Sequence, residues 1–206
     1  METELAKITK KLWGGIIEYE DDDTPLDIRS FNAFGKSAVM WLEQSRALHW
    51  AADALVKGER AAKGGARGAF DNVIALMLGG YAVETLLKMV IIADHCDAQG
   101  FTLNAKHAKE FLPTTHDLRK LAAQAKLRIN AKDRTTLADL SKYTVWAGRY
   151  PIPLFAADYS GPAIFDGVGA QRDAAQREQW GRYEGLYRKL HRLAVRQTFK
   201  GQAVKG

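Results

Sequence analysis

The segment THDLRKL, Thr115 to Leu121, carries residue types that move protons at a phosphate ester: an imidazole at His116 and a guanidinium three residues on, at Arg119. With Thr115 as N-cap, His116 and Asp117 fall in the first turn of a helix. The positive end of the helix dipole favours an uncharged ring there, the form a general base requires. A further cation, Arg149, ends the segment SKYTVWAGRYP, Ser141 to Pro151, where proline stops a helix. A cation at a helix C-terminus is favoured by about 0.3–1 kcal/mol, so Arg149 reads first as a cap. Brought beside His116 and Arg119, it would complete a composite site in which an imidazole acts as general base and a guanidinium holds a developing negative charge. The plain alternative for His116 is a hydrogen bond to a neighbouring helix. Glu84 and Lys88, four residues apart on one helical face, are placed to pair, and with Tyr150 they are expected to support such a site.

A second constellation lies near the C-terminal end of the sequence. Arg182, Arg188, Lys189, Arg192 and Arg196 recur at three- and four-residue steps, so a helix displays them on a shared side. Arginine grips phosphate through a planar fork, which makes this side an RNA-binding candidate. Its plain alternative is a solvated face, or one neutralised by acidic residues of the same chain. Tyr183 and Tyr187 add stacking if exposed, although their spacing is that of core residues.

Other patterns fail on chemistry. Gly35-Lys36-Ser37 resembles the tail of a phosphate-binding loop, but position 30 is serine and no strand precedes it. Asp94, His95, Cys96 and Asp97 are adjacent, so their side chains diverge on a helix, and no second Cys/His pair has zinc spacing. No metal and no cofactor are expected.

The 206 residues suffice for one sizeable core, and a single cysteine, Cys96, excludes an internal disulfide. The net charge of +6 is uneven. Residues 1–28 hold eight acids against three lysines, and residues 171–206 nine Lys/Arg against three acids. The two ends can attract each other, or the basic end a polyanion. The charged start METELAKITKK is unlike a secretory signal. The apolar run Val73–Ala93 is long enough to span a membrane, but Glu84 and Lys88 within it would cost about 2.5–3.5 kcal/mol each at mid-bilayer. It reads as the central helix of a cytoplasmic protein.

Helical spacing recurs and strand alternation does not persist, which predicts an all-α bundle of up-down type. An irregular acidic arm, 1–28, precedes the bundle, 29–198, and a basic tail, 199–206, comes after it. Ser30 is expected to cap the first helix, with Phe31, Phe34, Ala38, Trp41, Leu48, Ala52 and Leu55 inward. A basic, glycine-rich connection, Lys57–Gly68, leads to a second helix over about 70–94. Its Gly79-Gly80 pair points to close approach by a neighbour or to a kink. A third helix begins at Thr114 or Thr115 and runs to Leu127, with Leu118, Leu121 and Ala122 inward. A fourth carries Leu137, Leu140, Tyr143, Val145 and Trp146. After a long loop, 150–169, the last helix spans about 171–197 with Trp180, Tyr183, Tyr187, Leu190 and Ala194 on one side.

Taken together, GYAVETLLKMVIIA, THDLRKL and LADLSKYTVWAGRYP resemble the HEPN superfamily of helical domains. The matching positions are Tyr81, Glu84, Leu87, Lys88, His116, Leu118, Leu121, Leu137, Leu140, Tyr143, Arg149, Tyr150 and Pro151, within residues 30–198. The resemblance implies a bundle of four or five helices, commonly a homodimer. It also implies either a metal-independent RNase of prokaryotic defence or a non-catalytic module that binds RNA, a nucleotide or a partner protein. Such chains often accompany a nucleotidyltransferase. The RNases commonly carry arginine followed, after four to six residues, by histidine. Here none of His49, His95, His107, His116 and His191 has an arginine at that spacing; Arg46–His49 and Arg188–His191 are both too close. The expected function is therefore binding of RNA or an acidic protein partner, with an RNase built on His116, Arg119 and Arg149, or a nucleotidyltransferase partner, as alternatives.

Overall fold

Twenty-five consecutive residues of high mean hydropathy have no polar face to offer water, so they fold as a helix only if neighbours cover every side. The computed structural model describes residues 37–61, 69–95, 113–147 and 170–199, and there this helix, α2 (Ala69–Ala93), lies at the centre. Around it pack α1 (Ala38–Ala61), α3 (Leu118–Gln124), α4 (Ala131–Lys142) with the π-helical turn Tyr143–Ala147 that continues it, and α5 (Ala170–Thr198). All five elements are helical, and the described residues include no strand, as the spacing predicts. The apolar run Val73–Ala93 is mostly buried inside the protein, the packing of a core helix. The acidic arm, Ser30, Phe31, Phe34, Arg149, Tyr150, the loop 150–169 and the tail beyond Phe199 lie outside the described residues.

Local chemistry sets each helix boundary. Ser37, the serine of the rejected phosphate-loop motif, accepts the Met40 N–H at the start of α1. Lys57 pairs with Asp53 one turn earlier, and α1 continues through Ala61 rather than ending at the expected connection. Asp117, not Thr114 or Thr115, is the N-cap of α3: its carboxylate accepts the N–H groups of Arg119 and Lys120. Thr115 instead accepts the Asp117 N–H, so His116 sits one residue before the cap and outside the first turn. At the other end, Leu127 N–H reaches the Ala122 carbonyl and Lys126 N–H the Ala123 carbonyl, with Lys126 at φ 54°. This Schellman closure ends α3 before Leu127, which stays buried beneath it. Asn130 and Asp133 form a reciprocal capping box on α4.

The core joins Leu76, Val83, Leu86, Leu87 and Val90 of α2 to Leu118 and Leu121 of α3, Leu137 and Leu140 of α4, and Tyr183 and Leu190 of α5. The predicted inner side of α5 is buried throughout. On α1 the buried stripe is Ala38, Leu42, Ser45, Ala52 and Val56, with Trp41, Leu48 and Leu55 only flanking it. Val145, which follows the buried Tyr143 and Thr144, is exposed. The π turn holds more residues per turn than an α-helix, and this rotates Val145 off the line of the apolar stripe of α4.

The paired glycines mark two close approaches within an unbroken α2. A Cβ at Gly79 would stand 2.8 Å from the buried ring of Tyr183, and one at Gly80 would stand 2.5 Å from Thr144 Cγ2 and 3.3 Å from the Leu140 carbonyl oxygen. Thr144 has little freedom to yield, since its hydroxyl donates to the Ser141 carbonyl. Gly80→Ala is expected to lose stability, because overpacking of roughly 1–3 kcal/mol outweighs a helix-propensity gain of about 1 kcal/mol. Gly185→Ala, with nothing within 4 Å of its Cβ, is expected to gain most of that propensity. Urea denaturation of both variants measures the difference, and an equal gain at Gly80 would remove the steric role assigned to it.

Candidate functional site

A carboxylate on a buried helix needs charged partners, and Glu84 has two. Lys88 Nζ donates to Glu84 Oε1 at 2.7 Å from one turn along α2. His116 Nδ1 lies 2.9 Å from Oε2 and 3.1 Å from Oε1. An ionised carboxylate only accepts, so Nδ1 carries the proton in this contact and Nε2 is left for another partner. Glu84 and Lys88 are 8% and 14% exposed, whereas the His116 side chain is 45% exposed. The arrangement is a buried carboxylate orienting a ring whose far side meets solvent, the geometry of a positioned proton acceptor. The segment bearing His116 is tied to α4, since Leu118 N–H donates to Ser141 Oγ at 3.0 Å. Tyr81, one turn before Glu84, donates through its hydroxyl to the Thr144 carbonyl.

Arg119 does not join this cluster. Its Nε lies 3.7 Å from Asp117 in an exposed pair. The structure thus unites Glu84, Lys88 and His116, while Arg149 and Tyr150 fall outside the described residues.

A second site forms where α1 meets α5. Ser45 donates to the Ala82 carbonyl of α2 and lies 3.1 Å from the Tyr187 hydroxyl; His49 Nδ1 lies 2.7 Å from the Tyr183 hydroxyl. The pairings 45–187 and 49–183 show the two helices running antiparallel here. The His49 ring stacks on Tyr187 with centroids 4.1 Å apart. Above this buried floor opens a cleft of about 530 Å³ lined by Arg46, His49, Trp50, Tyr187, Arg188, His191 and Arg192. Trp50 is 60% exposed, and the Arg46 guanidinium lies 5.1 Å from its ring centroid. Burial holds both imidazoles below the ordinary histidine range; Arg46 and His49 depress His191 further, while Asp53 and Glu184 partly oppose the shift at His49. Burial likewise pushes the Tyr183 and Tyr187 hydroxyls up, so they stay protonated.

The predicted basic side of α5 is divided between two neighbours. Arg188 and Arg192 line the cleft and Arg196 is exposed, but Arg182 and Lys189 face α4. Lys189 pairs with Asp133 of the capping box. Arg182 sits 3.8 Å from Asp139 and 3.9 Å from Glu178, its buried Nε without a hydrogen-bond partner among the described residues. Tyr183 and Tyr187 are core, not stacking platforms. Trp50 was not singled out from the sequence, and Arg46–His49 and Arg188–His191, RALH and RKLH, entered it only as pairs too close for the arginine-to-histidine spacing of the RNases; the fold brings the two pairs to one cleft from different helices. The described residues hold no cluster of three potential metal ligands.

Removing one member of a buried ion pair strands the other, whereas replacing both by apolar groups does not. Glu84→Ala is expected to destabilise by about 3–5 kcal/mol, and the double variant Glu84→Met, Lys88→Met by much less. Chemical denaturation distinguishes them, and a single variant no less stable than the double would show that Glu84 is not the charge on which Lys88 depends. Comparison of the chain with protein-family models, with curated proteins and with solved structures returned no match.

Proposed function

We propose that this chain is a HEPN-like helical protein of prokaryotic defence or regulation that binds RNA, with the α1/α5 cleft as its principal contact. Cytoplasmic location and a homodimeric state belong to the same reading. The observation that carries it is the convergence of Arg46, Arg188 and Arg192 around the exposed indole of Trp50. The arginines are within reach of a ligand energetically. Arg46, half-buried, pairs with Glu43, and the exposed Arg188 with Glu184, at three- and four-residue spacing. Such pairs contribute only about 0.3–0.5 kcal/mol, so a phosphate can displace them. Arg192 donates from Nε to the Arg188 backbone carbonyl, which holds its own guanidinium along α5 beside the cleft. Arg182 and Lys189, turned toward α4, stabilise the bundle in this reading rather than the complex.

Three phosphate contacts to a single strand give log K a slope of roughly −2 against log salt, about a 20-fold loss between 50 and 200 mM. Binding of labelled mixed RNA across that range is expected to show this slope. Replacing Arg46, Arg188 and Arg192 by glutamine should flatten it, and Arg182→Gln should not. Binding that ignores salt, or none, would instead favour an acidic protein partner recognised elsewhere.

The Glu84–His116 contact favours a second reading, a metal-independent endoribonuclease. His116 Nε2 would take the 2′-hydroxyl proton, the 2′-oxygen would attack phosphorus, and the departing 5′-oxygen would collect a proton from water. The products are a 2′,3′-cyclic phosphate and a 5′-hydroxyl. Incubation with RNA in excess EDTA is expected to yield those ends, with at least a 100-fold loss for His116→Ala. Intact RNA, or cleavage indifferent to that substitution, rejects this reading and leaves the binding one standing.

A further inference from the structure

The cleft is more specific than a patch of positive charge. We infer that it is a subsite for one unpaired nucleotide of a single-stranded RNA, with the base on the open face of Trp50 and its phosphate against Arg188, Arg192 and the imidazole of His191. The inference rests on the RNA-binding reading above and names the form of RNA that the cleft accepts.

Four observations converge on it. A tryptophan 60% exposed has no partner for most of its surface among the described residues. The Arg46 guanidinium lies 5.1 Å from the ring centroid, a contact with one part of an indole that is otherwise largely open. The cleft volume of about 530 Å³ is that of a small-molecule site, large enough for one nucleotide and too small for a duplex. Its far wall, built from Arg188, His191 and Arg192, lies one turn along α5 and supplies forked donors suited to phosphate. In a duplex the base faces are covered by their neighbours and only edges are presented, so an indole platform has nothing to stack on. In a single strand every base offers a face, whatever its identity.

The floor of the cleft makes the platform rigid. His49 is stacked on Tyr187 and joined to the buried Tyr183 hydroxyl, and the His191 ring lies 5.9 Å from that of Tyr187. Trp50 follows His49 directly in α1, so the contacts that hold His49 fix the stretch of backbone from which the indole projects.

The test compares a 12-nucleotide single-stranded RNA with the duplex formed from it and its complement, at one salt concentration, by fluorescence anisotropy. Wild-type protein is expected to prefer the single strand at least fivefold. Trp50→Ala should weaken single-strand binding about 5- to 150-fold, and Trp50→Phe, which retains an aromatic face, much less. Because Trp50 is exposed, both variants should keep the helical circular dichroism of the parent. Quenching of intrinsic fluorescence on binding should shrink in Trp50→Phe. Equal affinity for the two RNAs together with an unaffected Trp50→Ala would overturn the nucleotide subsite while leaving salt-dependent RNA binding intact. Failure of wild-type protein to bind either RNA would overturn the RNA-binding reading itself. Competition by polyglutamate as effective as by the single strand, per charge, would reject the base-stacking role and assign the cleft to acidic protein.

Discussion

The structure depends on the burial of α2 on all sides. A surface helix needs one apolar stripe and one neighbour, but α2 is mostly buried from Val73 to Ile92, with Ile74 exposed near its start, and packs against α1, α3, α4 and α5 together. This has two physical consequences. Neighbours can surround a helix closely only where its side chains are small, which places Gly79 and Gly80 at its middle despite their low helix propensity. And any ionisable group along it must be matched internally, which makes Glu84 draw in Lys88 along the helix and His116 from the segment before α3.

The first of these consequences reaches the α1/α5 cleft. Because Gly79 has no side chain, the Tyr183 ring settles against the backbone of α2. From there its hydroxyl meets His49 on α1, and His49 in turn stacks on Tyr187. Ser45 fastens the same junction by bridging Ala82 of α2 and Tyr187 of α5. A backbone-level accommodation at the centre of the bundle is thus transmitted through one tyrosine to the histidine beneath the cleft.

Much of this was legible in the sequence, and the failures share one cause. Periodicity identified the helices, the buried side of α5 and the inward trio Leu118, Leu121 and Ala122, because each concerns residues on a single element. The Glu84–Lys88 pair was legible for the same reason. The cap of α3 was displaced because Thr115 and Asp117 both have capping chemistry, and Asp117 reaches two N–H groups where Thr115 serves only one. The stripe of α1 was misplaced because Ser45 and His49 interrupt its apolar pattern, although they lie between Leu42 and Ala52 on the buried side. Likewise the five cations of α5 share a side of their helix but not a neighbour. Spacing fixes which residues stand together on one rod and is silent about the acids a second rod brings, here Asp133 and Asp139.

That division bears on which charges a ligand can use. Lys88 and Glu84 are nearly dry, and breaking such a pair strands a charge at a cost of several kcal/mol, more than a single phosphate contact returns. Lys189 and Arg182 are partly withdrawn in the same manner. Arg188, 70% exposed and paired with Glu184 one turn away, gives up little when it changes partner. The two sites share no lining residue: one is a tightly satisfied carboxylate presenting a single imidazole, the other a set of loosely held guanidinium groups beside an indole. In the RNA-binding reading proposed above, affinity for a polyanion would therefore originate at α1 and α5, because Lys88 is already held by Glu84, while His116 would be the group available for proton transfer.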